Sequence, residues 1–211
     1  MVSGGKWRLA PHLALLNRKL VDLAAGRITR LLVLMPPRHG KSELCSKYFT
    51  SWYLGTFPER SVILASYEAN FAAKWGRDTR AVLDQWGPSI FGVTPSRRTT
   101  GGHAWELLEG GGMVTTGVRG PITGRGCHLL CLDDPVKNAQ EAQSPTYRAS
   151  TWDWWRSTAY TRLEPEGSAL VVLTHWHEDD VAGRIMADMK AGGEQWEVVK
   201  LAAICEPQDV K

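Results

Sequence analysis

The sequence predicts an α/β fold with a mostly parallel central sheet flanked by helices, and three observations predict it. Continuous apolar runs such as Leu31–Met35 and Ser61–Ser66 are too uniform for half-exposed strands and read as strands buried on both faces. Stretches with apolar residues at helical spacing separate them. Strands alternating with helices imply a parallel sheet, because each crossover helix returns the chain to the end where the previous strand began. The 211 residues leave room for one sizeable domain.

Each element follows in order. Leu9, Leu13, Leu16, Leu20 and Leu23 share one helical face, so a helix is expected near 9–25, ended by Gly26. Leu31–Met35 is the first strand, and the loop Pro36–Gly40 follows it. A helix from about Lys41 to Leu54 is stopped by Gly55 and Pro58. Ser61–Ser66 is the second strand and leads into a helix over about Glu68–Trp86. Residues 88–126 are rich in glycine and threonine, and "AWELLEGGGMVTTGV" within them predicts a β-hairpin turning at Gly110–Gly112. His128–Asp134 is a third buried strand. A long polar helix is expected over roughly Ser144–Leu163, a fourth strand at Ser168–His175, a helix over about Glu178–Lys190 and a fifth strand at Trp196–Ile204.

The totals exclude some classes of protein. No apolar run approaches the ~18 residues that span a bilayer, and no signal-peptide core opens the chain, so a cytosolic protein is expected. The four cysteines have no metal-type spacing and read as free thiols. A net charge of +3 permits a polyanionic partner without requiring one.

The chemistry is carried by "PPRHGKSE", Pro36–Glu43. A strand, a tight loop and a helix opening on Gly40-Lys41-Ser42 form a phosphate-binding loop. The helix N-terminus faces the anion, the lysine neutralises β/γ oxygens and the serine hydroxyl ligates Mg²⁺. The glycine usual five residues before Gly40 is Met35; Pro36 and Pro37 stiffen the loop instead. A second part belongs at the end of a later buried strand, and "LLCLDDP" supplies it. Asp133 stands where an acid organises Mg²⁺, and Asp134 where a carboxylate activates water. Together these predict an ATP site with Mg²⁺.

These residues, with "GPITGRGCHLLCLDDPVKN" (Gly120–Asn138) and "LTHWHEDDVAGRI" (Leu173–Ile185), resemble the large terminase subunits of tailed phages, ATPases that pump DNA into procapsids. The resemblance implies a P-loop NTPase of the ASCE type. It makes 1–211 a single ATPase domain, with an adenine-side helix about 7–26 and a core about 28–204. It also implies that Arg38 reaches the γ-phosphate, its alternative being an ion pair with Glu43. Arg125 is the arginine offered to a neighbouring subunit's nucleotide, and Arg119 competes for that role. Thr174 closes the strand between the loop strand and the acidic strand and couples hydrolysis to movement. Trp7 and His12 are the adenine-side contacts, and Pro37, Arg38, His39, Gly40, Lys41, Ser42 and Glu43 line the nucleotide. Implied partners are double-stranded DNA, the portal protein, the terminase small subunit and further copies of the chain in a ring, with a monomer in isolation. The implied location is the host cytoplasm, transiently on the procapsid.

Two departures stand out. Many family members have Asp-Glu where this chain has Asp133-Asp134, which shortens the candidate base. Full-length members carry a C-terminal RNase H-like endonuclease domain, so the chain reads as the ATPase portion. Alternatives are another P-loop translocase or helicase, a small-molecule kinase, and a nucleotide-gated assembly module with weak hydrolysis. In "HWHEDD", His175–Asp180, an acidic helix start is expected rather than a metal site.

Overall fold

The structure is a computed structural model and describes residues 9–203 apart from 123. Trp7 and Cys205 lie outside the described residues. In chain order the elements begin with α1 (Pro11–Ala24), β1 (Arg30–Leu34), a π-helical stretch Glu43–Phe49 continued by α2 (Thr50–Thr56), β2 (Ser61–Ser66) and α3 (Ala69–Ile90). Next come β3 (Pro95–Thr100), β4 (Ala104–Leu107), β5 (Gly112–Gly117), β6 (Cys127–Asp133), α4 (Ala139–Gln143) and α5 (Pro145–Trp154). A π turn (Trp155–Ala159), a 3₁₀ turn (Tyr160–Arg162), β7 (Leu163–Leu173), α6 (Val181–Lys190) and β8 (Glu197–Lys200) complete the described fold.

All eight strands form one sheet in the order β3-β4-β5-β2-β6-β7-β1-β8. From β5 to β8 every pairing is parallel, and only the outer pairings β3–β4 and β4–β5 are antiparallel, so β4 alone is reversed. The apolar runs are continuous because both faces are covered. Leu31 and Val33 point to a core shared with Leu16, Leu20, Phe49 and Trp75, from the helices over one face. Leu32 and Leu34 point the other way, to Trp154, Trp155, Val181 and Ile185. Alternate residues of one strand thus serve two cores.

The expected hairpin is present, and β5 joins it in parallel to β2, so it extends the main sheet. Its turn needs Gly111, where a Cβ would meet the Pro58 and Arg60 carbonyl oxygens. Four expectations are corrected. The helix over 144–163 is α5 followed by π and 3₁₀ turns, and the change in winding turns Trp154, Trp155 and Ala159 all inward. The polar stretch Leu163–Gly167 is strand, paired through Leu163 with Cys127 around an irregular register that includes Glu166 at φ +64°. The helix expected to end at Trp86 continues through Pro88 to Ile90. The last strand ends at Lys200, opposite Leu34, where β1, its partner among the described residues, also ends.

Candidate functional site

At the carboxyl end of the sheet, β1 gives way to the loop predicted to hold phosphate. Pro36 and Pro37 carry the chain out, and Arg38 (φ +64°) and Gly40 (φ +82°) both take left-handed backbone conformations. Glycine adopts this freely; for arginine it costs about 1–2 kcal/mol, so the surrounding structure holds the loop in a strained shape. His39 Nδ1–H donates to the Pro37 carbonyl at 2.8 Å, closing the loop on itself. His12 of α1 donates from Nε2 to the His39 carbonyl at 3.2 Å, so the first helix is tied to the loop. Arg38 is exposed and has no hydrogen-bond or ion-pair partner among the described residues. Glu43 turns along its own helix to Lys47 at 2.7 Å, so the alternative Arg38–Glu43 pair does not form.

β6 brings Asp133 and Asp134 to the same end. Asp133 is fully buried and accepts from Ser42 at 2.9 Å and from Ser46 at 2.8 Å. Burial pushes its carboxyl well above the ordinary carboxylate range, and the Asp134 charge adds to this, while the two serine hydrogen bonds and Lys41 pull it back. Asp134 has φ +42°. Its Oδ2 meets Lys41 Nζ at 2.7 Å and its Oδ1 accepts the Thr174 backbone N–H at 2.8 Å. Its own N–H and C=O bond to β7 and Tyr67, so the residue is held from four directions. Lys41 is 5% exposed and the Asp134 side chain 26%, so the ammonium is sealed while the carboxylate still reaches solvent.

The strand order puts β7 between β6 and β1, so Thr174 emerges between the acidic strand and the loop strand. Beyond it Asp180 caps α6 by accepting from Gly183 N–H at 3.0 Å and also faces His175 Nδ1 at 3.0 Å. Asp179 bridges Arg148 and Arg184, at 3.2 and 2.8 Å, tying α5 to α6. "HWHEDD" is thus a cap and a brace, and no group of three or more metal-ligating side chains occurs among the described residues.

The two candidate arginines separate. Arg119 follows β5 at the carboxyl end, with its guanidinium 4.5 Å from the centre of the Tyr147 ring. Arg125 precedes β6 at the amino end, lining a cavity of about 210 Å³ with Ser61 and Gly112, the first residues of β2 and β5. It therefore stands at the far end of the sheet from its own loop. A cavity of about 270 Å³ among Trp155, Tyr160, Glu194 and Trp196 also lies at the amino end, remote from Lys41 and Asp133.

Sequence reasoning missed Ser46 and the Lys41–Asp134 pair. Ser46 has a visible signal, a hydroxyl one helical turn after Ser42 on the same side. The ion pair has none, since it depends on two distant strands ending at one level. A family model described as terminase large subunit, T4likevirus-type, N-terminal, matches residues 32–209. No curated protein matches the chain.

Proposed function

The chain belongs to the T4-like terminase large-subunit family, over its N-terminal region, and from that membership we propose an ATP-hydrolysing motor domain that drives double-stranded DNA into a procapsid. The observation that carries the proposal is the convergence of Lys41 on Asp134 and of Ser42 on Asp133, distant in sequence and paired within 3 Å. The position of β7 between β6 and β1 supports an ASCE-type P-loop ATPase.

Lys41 is placed to leave Asp134 for the β/γ-phosphate oxygens of ATP, where its point charge has most effect. The donor set of Ser42 and Asp133 fits Mg²⁺, which characteristically takes one or two protein oxygens and completes its shell with phosphates and water. When bound there, Mg²⁺ would neutralise charge on the β- and γ-oxygens. Asp134, released from Lys41, presents a free Oδ2 to orient and deprotonate water. Its Oδ1 remains on the Thr174 N–H, so any shift of the carboxylate is felt by the segment after β7. Arg38 has no competing partner among the described residues and is placed to reach the γ-phosphate.

Arg125, at the opposite end of the sheet, suits a role on a neighbouring subunit's nucleotide in a ring on the portal. The proposed setting is the host cytoplasm, with the small subunit and DNA as further partners and a monomer in isolation. One observation favours a second reading, a nucleotide-gated module with weak hydrolysis: both Asp134 oxygens are engaged.

Phosphate release from Mg·ATP, measured with and without double-stranded DNA, tests the proposal. Turnover raised by DNA and lost in Lys41→Ala is expected. Turnover retained by Lys41→Ala would end the phosphate-loop assignment, and turnover indifferent to DNA when the ring is assembled would favour the second reading.

A further inference from the structure

Ser46 lies one helical turn beyond Ser42 and is completely buried. Its hydroxyl donates to Asp133 Oδ2, while Ser42 donates to Oδ1, so two serines hold both oxygens of one carboxylate. The Ser46 carbonyl is engaged as well. It accepts from Thr50 Oγ1 at 2.7 Å and from Thr79 Oγ1 at 3.2 Å, and those hydroxyls are 3.0 Å apart. Thr50 and Thr79 are also fully buried. A buried polar network therefore runs from α3 to the Ser46 backbone carbonyl, and the Ser46 hydroxyl continues it to the acid at the end of β6.

Chemistry and packing alone do not call for this arrangement. Alanine would serve a buried helical position better, because serine adds a polar atom that must find a partner and has lower helix propensity. The helix is also π-wound over Glu43–Phe49, which loosens the regular ladder around Ser46, and such windings concentrate at functional sites.

We propose that Ser46 is a positioning residue for the divalent cation of the nucleotide site, holding Asp133 from behind when Ser42 turns from the carboxylate to the cation. The inference rests on the Mg·ATP reading above. Of the two donors to Asp133, Ser42 is only part-buried and faces the loop, whereas Ser46 is sealed in the core. Once Ser42 leaves, Ser46 alone fixes the direction in which Asp133 Oδ1 faces the site. Thr50 and Thr79 keep Ser46 itself from moving. Ser46 touches neither nucleotide nor cation and acts only through Asp133.

The test is equilibrium binding of a fluorescent, non-hydrolysable ATP analogue, titrated with Mg²⁺ from an EDTA baseline, in wild type, Ser46→Ala and Ser46→Cys. Ser46→Ala is expected to keep its metal-free affinity and to need roughly tenfold more Mg²⁺, or more, for half-maximal tightening. Ser46→Cys, similar in volume and a weaker donor, should fall between the two. A Mg²⁺ midpoint unchanged in Ser46→Ala would overturn the assignment. Where Ser46→Ala does not fold, a wild-type midpoint in Ser46→Cys would overturn it equally. Wild-type protein that binds the analogue identically with and without Mg²⁺ refutes the underlying metal-site reading, and that failure is visible before any variant is made.

Discussion

Asparagine substitution at the two adjacent aspartates should move the stability of the nucleotide-free protein in opposite directions. The difference lies in what their partners can do. Asp134 receives two donors with no acceptor capacity, the Lys41 ammonium and the Thr174 backbone N–H. In Asp134→Asn the side chain has one oxygen to offer, so if it keeps Thr174 its NH₂ faces the ammonium, donor against donor. Asparagine tolerates left-handed φ at least as well as aspartate, so the backbone adds no new strain at φ +42°. The loss is that of an unsatisfied, largely buried charged donor, about 1–3 kcal/mol. For a chain of this length, each kcal/mol shifts Tm by about 2–4 °C.

At Asp133 both partners are serine hydroxyls, which donate or accept by rotating. The amide introduced by Asp133→Asn can satisfy both while removing a charge from a fully buried site, so this variant should raise Tm. Burial raises the folded-state pKa of Asp133 above its unfolded value, so ionising it costs stability as pH rises from about 4. The advantage of Asp133→Asn should therefore be larger at pH 8 than at pH 5. Tryptophan-fluorescence melts in EDTA provide the assay, and both variants should lose Mg²⁺-dependent turnover. Tm shifts of the same sign for the two variants would refute the reasoning about donors and acceptors.

Other consequences are as concrete. Arg38→Gly should stabilise the empty protein by about 1 kcal/mol, by relieving left-handed strain, while weakening binding of ATP more than of ADP; calorimetric titration of both nucleotides checks it. Arg125→Ala subunits mixed with Lys41→Ala subunits should recover part of the ATPase activity on an assembled ring, since one retains the pocket and the other the arginine. An arginine supplied in trans is worth on the order of 10³-fold or more, so recovery is measurable, and none at any ratio would make Arg125 structural. Asp179, held to about 2 by Arg184 first and Arg148 second, contributes stability above its unfolded pKa that is lost as pH falls toward 2. The Asp179 side chain is 44% exposed and Arg148 keeps the Ala142 carbonyl, so Asp179→Asn should cost no more than about 1 kcal/mol at pH 7 and nothing near pH 2, as read by urea denaturation.

Elements whose apolar pattern is set by burial on both faces were legible in the sequence. Ser61–Ser66 is β2 to the residue, and the strand expected at His128–Asp134 is β6 shifted by one. Elements that exist through pairing alone were not. Pro95–Thr100 is polar, with Arg97 and Arg98 exposed, and becomes β3 only because β4 offers a free edge. Leu163–Gly167 likewise becomes strand through Cys127. Within the site, the loop, Asp133, Asp134 and Thr174 could be named because their order along the chain carries the pattern. Ser46 carries only the hint of a hydroxyl one turn after Ser42, because its role depends on the direction of that hydroxyl toward an acid 87 residues away. The opposite placement of Arg119 and Arg125 depends on which end of the sheet each loop joins, and local sequence holds no signal of that.

If Pro36–Ser42 and Asp133 form one Mg·ATP site, internal pairs mask it until nucleotide arrives. A crystal structure with Mg²⁺ and a non-hydrolysable ATP analogue would show the unmasking itself. Phosphates should lie on the backbone of His39–Ser42, with Lys41 moved from Asp134 to the β/γ oxygens and Ser42 moved from Asp133 to the cation. The Ser46–Asp133 hydrogen bond should be unchanged. Nucleotide bound elsewhere, or bound there with the Lys41–Asp134 pair intact, would contradict a masked Mg·ATP site.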